Sequence, residues 1–188
     1  MVLLDQVHSA RVVTVTRPFA SHARPEADGL VTSRAGLVLG IVTADCVPVL
    51  LADRSAGVVG AAHAGWRGAL GGVVEATIDA MCALGASRDR IASAIGPCIR
   101  QFSYEVDDAF RARFDASDGH LFATARDGHW YFDLPGYVDM RLQCAGITDR
   151  SDSGLDTYTD AQRFHSYRRA THEGRDTAGR QYSLVAVG

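Results

Sequence analysis

The sequence lacks the features that would direct a protein to a membrane, to nucleic acid or into the secretory route. No apolar run approaches the roughly 20 residues that a membrane-spanning helix needs. Arginine and lysine together number 19 against 22 aspartates and glutamates, so the positive charge typical of a nucleic-acid-binding domain is absent. Residues 1–4 are apolar but lead at once into an acidic and polar stretch, so we expect no signal peptide. Neither nucleic acid nor a membrane is expected as a partner.

Paired cysteines are also missing. The four cysteines, at positions 46, 82, 98 and 144, are widely spaced and form no CxxC pair. In a chain of this length they are typical of reduced thiols rather than of a disulfide framework. This usage predicts a cytoplasmic protein.

The composition is that of an ordinary globular chain, with 188 residues of which 47% are hydrophobic and 22% charged. We therefore predict a single domain over residues 1–188, with strands where apolar runs are continuous and helices where apolar residues recur every three or four positions. The predicted strands are 11–16, 29–33, 37–43, 47–52, 58–63, 91–95, 130–132 and 181–187. The predicted helices are 67–84, 106–114 and 134–145, and residues 149–180 are mainly loop with a helical turn at 164–169. These elements predict an α+β fold.

Two histidines and one cysteine stand at the ends of predicted strands. His8 precedes the first strand, Cys46 lies between two strands, and His63 ends the strand 58–63. Side chains at strand ends can converge, and two imidazoles with one thiolate form a zinc set that leaves a fourth position for water or substrate. The spacing alone leaves open a structural role, because a strand-end histidine is commonly hydrogen-bonded and an apolar-flanked cysteine commonly buried.

The segment after His63 has features of an anion site. It contains Gly65 and Arg67 and opens the predicted helix 67–84. Free N–H groups and the helix dipole favour an anion at a helix N-terminus, and Arg67 offers a planar bidentate contact. The alternative is a solvated Arg67 beside a Trp66 that packs in the core.

Several motifs, in order along nearly the whole chain, resemble those of the YfiH family, which is also called laccase-domain or polyphenol oxidase-like. They are QVH at 6–8, ADGLVT at 27–32, TADCVPVL at 43–50, HAGWRG at 63–68, IGPCI at 95–99, YEV at 104–106, FDL at 132–134 and FHSYRR at 164–169.

The resemblance implies a layered α/β/β fold with mixed sheets packed against helices, similar to cysteine-hydrolase toxins of the CNF type. It implies that His8, Cys46 and His63 bind a catalytic Zn²⁺. The implied reactions are phosphorolysis of adenosine, inosine, guanosine and methylthioadenosine to base and ribose 1-phosphate, and hydrolytic deamination of adenosine. Copper-dependent phenol oxidation, with Cu²⁺ as the metal, and editing of peptidoglycan precursors are also attributed to the family.

The chain departs from the family pattern at three places. Members usually carry a further segment before the QVH motif, so we expect an N-terminal family segment to be missing. The usual FFSYRR motif is FHSYRR, which is expected to place His165 near the site as a further ligand or proton donor. The Cys-Thr pair of many members is replaced by Asp156 and Thr157.

Deamination needs a proton-shuttling carboxylate beside the zinc, and Asp45 and Asp28 are the candidates. Asp45 serves only if its turn reorients it, because neighbours on a strand point to opposite faces. Asp28 is equally well explained as a turn residue.

Phosphorolysis instead needs a phosphate site. Arg67 with the N–H groups around Gly65 is the first candidate, and Arg168 or Arg169 adds charge. A metal-independent hydrolase with Cys46 as nucleophile and His63 as base remains an alternative. The chain lacks the multiple HxH pairs that a multi-copper oxidase demands. A binding module without turnover is the non-enzymatic alternative.

Overall fold

A six-stranded mixed sheet lies at the centre of the computed structural model, which describes all 188 residues. Its strands are β1 (Val12–Thr14), β2 (Gly29–Thr32), β4 (Val47–Asp53), β5 (Val58–Ala64), β6 (Ala92–Ile95) and β10 (Asp149–Asp152). Their spatial order is β1-β2-β5-β4-β6-β10. The two outer pairs, β1–β2 and β6–β10, are parallel and the inner pairs are antiparallel. All seven residues of β5 are buried, as predicted for a strand covered on both faces.

Helices cover one face of this sheet and a second sheet covers the other. The helical layer consists mainly of α2 (Val73–Ala83) and α4 (Leu134–Cys144), which share a core with Val49 and Leu51 of β4. The second sheet is the antiparallel pair β3 (Val38–Thr43) and β11 (Gln181–Ala186). Leu39 and Ile41 of β3 pack in a smaller core with Leu30 of β2. The predicted α+β class and the α/β/β layering are both confirmed.

The single helix predicted over residues 67–84 is wrong in its continuity. It is divided into α1 (Trp66–Leu70) and α2, and Gly72 between them has a φ of 90°, a conformation that glycine adopts without steric cost. The break lets α2 lie close against the sheet at Gly60 of β5, where an added Cβ would lie 2.7 Å from the Met81 sulfur. The apolar face that predicted the helix is correct, since Val74, Ile78 and Met81 are buried.

The helix predicted over residues 106–114 is also wrong in part. A small antiparallel sheet, in the order β7-β9-β8, is built from β7 (Glu105–Asp107), β8 (Phe122–Thr124) and β9 (His129–Phe132). The helix α3 (Asp108–Arg111) starts only after β7, because the Asp107 side chain accepts a hydrogen bond from the Phe110 N–H and caps it.

The segment 149–180 contains more regular structure than the predicted loop. It holds the edge strand β10 and the helix α5 (Tyr167–His172), which Ser166 caps by accepting a hydrogen bond from the Arg169 N–H. No residue of β10 is buried, so the strand has no apolar pattern to reveal it. No helix has the length and apolar character needed to cross a membrane. All four cysteines are free.

Candidate metal centre

The structure brings together the three residues that the sequence singled out as ligands. Cys46 occupies the turn between β3 and β4, and His63 is the second-to-last residue of β5. His8 comes from the segment before β1. One ligand atom from each residue lies within 4.8 Å of the others. The Cys46 Sγ is 3.7 Å from the His8 Nε2, and the two imidazole rings meet edge to face with centroids 4.8 Å apart.

Asp28 holds His8 and His63 in place through hydrogen bonds. Its carboxylate accepts hydrogen bonds from the backbone N–H groups of Val7, His8 and Ser9 and from the Ser9 hydroxyl. It also accepts one from His63 Nδ1 at 2.8 Å, which leaves Nε2 of His63 for a metal. The network keeps His8 in a backbone conformation with φ of 61°, which is uncommon for a residue with a side chain. Asp28 is wholly buried, so it orients the site and has no open path to a substrate.

The contacts among these groups shift their pKa values in opposite directions. Burial alone raises the pKa of Cys46, but hydrogen bonds with His63 and His8 outweigh it and lower the pKa to about 6. Burial lowers the pKa of His63, but hydrogen bonds with Asp28 and Cys46 raise it to about 9. Burial likewise raises the pKa of Asp28, and hydrogen bonds from His63 and Ser9 lower it to about 2. The site therefore favours a thiolate, the form of cysteine that binds metals.

The space around these residues fits a metal ion. A Cβ added to Gly65 would lie 2.6 Å from the His8 Cδ2 and 2.9 Å from the Cys46 Sγ, so the chain passes close to the site only because this residue has no side chain. Two imidazole nitrogens and a thiolate suit zinc with one position left open. His8 and Cys46 are partly exposed, whereas His63 is buried, so the site is accessible from one side.

Asp45 does not face the three candidate ligands with a free carboxylate. It has a φ of 91°, and its two oxygens accept hydrogen bonds from the Thr157 hydroxyl and the Arg168 backbone N–H, both at 2.7 Å. Asp45 therefore joins the Cys46 turn to the start of α5. Because both oxygens are engaged, its predicted role as a proton shuttle is not supported.

The three candidate arginines differ in how many donors they leave free. Arg67 is exposed and stacks on Trp66 at 4.8 Å. Arg168 donates from Nη1 to the Glu105 carbonyl and lies 5.2 Å from the ring of Tyr104. Arg169 donates to three backbone carbonyls and so fixes the loop before α5. The helix α1 that follows Gly65 has only five residues, so its dipole is weaker than that of the predicted helix 67–84. The anion site at its N-terminus stays a prediction, and Arg67 and Arg168 are the candidate ligands.

His165 is not in the candidate metal centre, contrary to the expectation. Its backbone N–H bonds the Gln181 side chain, and its ring packs on Gly179 in a surface recess that none of the three candidate ligands lines. Asp156 is structural, since its carboxylate accepts from the Ser103 hydroxyl and the Tyr158 N–H.

Tyr104 has no predicted role, and the structure places its ring against the Arg168 guanidinium, 5.2 Å away. Burial raises the pKa of its hydroxyl, and the negative charge of nearby Cys46 raises it further. The YEV motif at 104–106 marks this residue without indicating its role, because the neighbours that position it, such as Phe132 and Arg168, come from other parts of the chain.

Comparison with known proteins agrees with these features. Residues 1–188 match the family described as multi-copper polyphenol oxidoreductase laccase. The chain belongs to this family. Its relatives include a protein of Rickettsia conorii named purine nucleoside phosphorylase, 37% identical over 92% of this chain and 72% of the relative. One of Streptomyces griseus with the same name is 42% identical over 93% and 71%.

Solved structures of the family have the same fold. The Bacillus licheniformis hypothetical protein YfiH superposes with a TM-score of 0.91 and 31% identity, over 100% of this chain and 74% of its own. YlmD from Geobacillus stearothermophilus gives a TM-score of 0.88 and 30% identity, over 99% and 73%. The resemblance seen in the sequence motifs is therefore confirmed.

Proposed function

We propose that this chain is a zinc-dependent purine nucleoside phosphorylase that also deaminates adenosine. The proposed substrates are adenosine, inosine, guanosine and methylthioadenosine, each cleaved to the base and the ribose 1-phosphate. The observation that carries the proposal is the convergence of His8, Cys46 and His63 within 4.8 Å. The names of the relatives, purine nucleoside phosphorylase in each case, support the reaction class.

In this proposal the ion is held by His8, Cys46 and His63, and Asp28 fixes the His63 ring through Nδ1. When bound, zinc would supply a Lewis acid and lower the pKa of a coordinated water towards 7. The thiolate of Cys46 balances part of the charge of the ion. Gly65 leaves the room that the ion requires.

In phosphorolysis a phosphate oxygen bonds to C1′ of the ribose, and the bond between C1′ and the purine nitrogen breaks. The base leaves with the bonding electrons and takes up a proton. The proposed phosphate ligands are Arg67 and Arg168, because neither is paired with a carboxylate and a guanidinium matches a phosphate in geometry. In deamination, water would replace phosphate as the attacking group. Its oxygen would bond to C6 of adenine, and the bond between C6 and the amino group would break and release ammonia.

A product assay combined with metal analysis tests the proposal. Purified protein is expected to contain about one zinc and to convert adenosine to adenine only when phosphate is present, whereas inosine formed without phosphate reports deamination. Cys46→Ser is expected to lose both the zinc and the turnover. Cys144→Ser, which changes an exposed cysteine, is the matched control. Protein that holds zinc and converts no nucleoside would refute the enzymatic proposal in favour of a binding module.

Replacing Arg67 tests how the two reactions divide. Arg67→Ala is expected to raise the phosphate concentration needed for phosphorolysis and to leave deamination largely intact, because only phosphorolysis uses the anion. Equal loss of both reactions would contradict this division.

A metal-independent cysteine hydrolase is the second candidate, favoured by the contact between His63 and Asp28 at 2.8 Å. Cys46, His63 and Asp28 then resemble a nucleophile, a base and the group that orients the base. This hydrolase would be inactivated by thiol alkylation and unaffected by zinc removal. The peptidoglycan-editing role attributed to the family would fall in this class.

A copper oxidase is the third candidate, because the family description names that activity and two histidines with a cysteine also suit copper. The structure has only one group of three or more potential ligands, whereas multi-copper chemistry needs several. Metal analysis of protein produced in medium with both zinc and copper shows which of the two ions is bound.

A further inference from the structure

The guanidinium of Arg168 is oriented without an ion pair to any carboxylate. Its backbone N–H donates to Asp45, its Nη1 donates to the Glu105 carbonyl at 2.9 Å, and its guanidinium lies over the Tyr104 ring. None of the nine ion pairs of the protein includes it. A guanidinium held by neutral groups keeps both its positive charge and its remaining N–H groups available for an anion.

Aromatic and backbone contacts hold Tyr104 in place. Its ring packs on Phe110 and Phe132, with centroids 5.9 and 6.1 Å away. Its carbonyl accepts a hydrogen bond from the Phe132 N–H at 3.0 Å. These aromatic neighbours, from α3 and β9, thus fix the ring against which the Arg168 guanidinium lies.

We propose that Tyr104 is a positioning residue whose ring orients the free N–H groups of Arg168 towards a phosphate bound beside the candidate metal centre. Asp45 joins the two sites, because the residue after it is Cys46 and its carboxylate bonds the Arg168 backbone. The inference rests on the proposed phosphorolysis and names the residues that bind its second substrate. The ring of Tyr104, not its hydroxyl, carries this role, since the contact with the guanidinium is made to the ring.

The test measures binding of inorganic phosphate to the zinc-loaded protein. The readouts are the phosphate concentration that gives half of the maximal rise in Tm, and the KM for phosphate. Arg168→Gln is expected to weaken binding more than tenfold. Tyr104→Leu is expected to weaken it about tenfold with a smaller change in kcat. Tyr104→Phe keeps the ring and is expected to bind within twofold of the unchanged protein. Arg113→Gln, which removes an exposed arginine stacked on Trp66 at 5.5 Å, is the matched control.

Several outcomes would overturn the inference: phosphate binding unchanged in Tyr104→Leu, equal weakening in Tyr104→Phe, or no phosphate binding by the unchanged protein. If Tyr104→Leu fails to fold, Arg168→Lys takes its place, because lysine keeps the charge and loses the planar fork. Wild-type binding by that variant would also overturn the inference. Phosphate binding without any nucleoside turnover would refute the proposed function and leave this inference standing.

Discussion

At the scale of single residues, the candidate metal centre depends on small groups placed behind its ligands. Asp28 accepts hydrogen bonds from both the His8 segment and His63, and Gly65 supplies empty space. Neither residue would itself touch a substrate. Their removal is expected to affect the metal first and the fold second.

Replacing Gly65 by alanine tests whether the metal ion needs the space that this glycine leaves. The added Cβ would lie 2.9 Å from the Cys46 Sγ, so Gly65→Ala is expected to weaken zinc binding by at least about tenfold. Competition with a chelator measures the affinity. Gly119→Ala is the control, because a Cβ there meets nothing within 4 Å. Equal zinc affinity in the two variants would contradict the expectation.

Asp53 makes stability depend on pH. Burial alone raises the pKa of this carboxyl, but hydrogen bonds from the Ser87 and Ala56 N–H groups and the pairing with Arg90 lower it below its ordinary value. A lowered pKa stabilises the folded state above the ordinary pKa near 4, and this stabilisation is lost as the pH falls towards the folded value. The difference in unfolding free energy between the wild type and Asp53→Asn is therefore expected to shrink from pH 7 to pH 3, measured in urea. A difference that stays constant would show that Asp53 titrates normally.

At the scale of elements, the apolar face of α2 packs against the central sheet and so holds the helical layer on it. Ile78 of this helix is wholly buried, and its neighbour Asp79 is exposed and pairs with Arg88. Ile78→Ala is expected to lower the free energy of unfolding by about 3 kcal/mol because it leaves a cavity. Asp79→Ala, the neighbouring control, is expected to cost less than about 1 kcal/mol. Urea unfolding of both variants measures the contrast, and similar losses would contradict this packing.

The sequence predicted the elements that have an apolar pattern and missed those that do not. The buried strands β4 and β5 and the helix α4 were found from their apolar residues. The edge strand β10 could not be found, since Asp149–Asp152 contains no apolar residue. The break at Gly72 was missed because the apolar spacing continues across it. The positive φ of Gly72 depends on how α2 packs, and the sequence does not record it.

The same limit applies to the candidate site. His8, Cys46 and His63 were identified by residue type and motif, because imidazole and thiolate carry recognisable chemistry. The roles of Asp28 and Asp45 could not be identified in this way. An aspartate appears the same in the sequence whether its carboxylate bonds backbone N–H groups or faces a substrate. Only the partners of Asp45, Thr157 and the Arg168 N–H, more than 100 residues away, distinguish these roles.

At the scale of the whole molecule, a bound ion would join the segment before β1 to β4 and β5. Removal of zinc by a chelator is therefore expected to lower Tm by about 5–10 °C at zinc concentrations near 100 times the dissociation constant. Thermal unfolding with and without the chelator measures the shift. Cys46→Ser is the control and is expected to show no shift. An equal Tm for the wild type in both conditions would exclude a stabilising metal. The single domain predicted from the sequence stays a prediction, which one cooperative transition would support.

The proposed ion-holding residues His8, Cys46 and His63 lie within residues 8–63, whereas Tyr104 and Arg168 belong to the remainder of the chain. Asp45 links the two parts at the site, through its hydrogen bonds to Thr157 and the Arg168 N–H. Parts of the chain can be exchanged between members of the family if the hydrogen bonds of Asp45 are kept. A chimaera that carries residues 1–99 of this chain and the matching later residues of a relative should keep the metal preference of the first parent, whereas its affinity for phosphate should depend on both parents, because Arg67 comes from the first and Arg168 from the second.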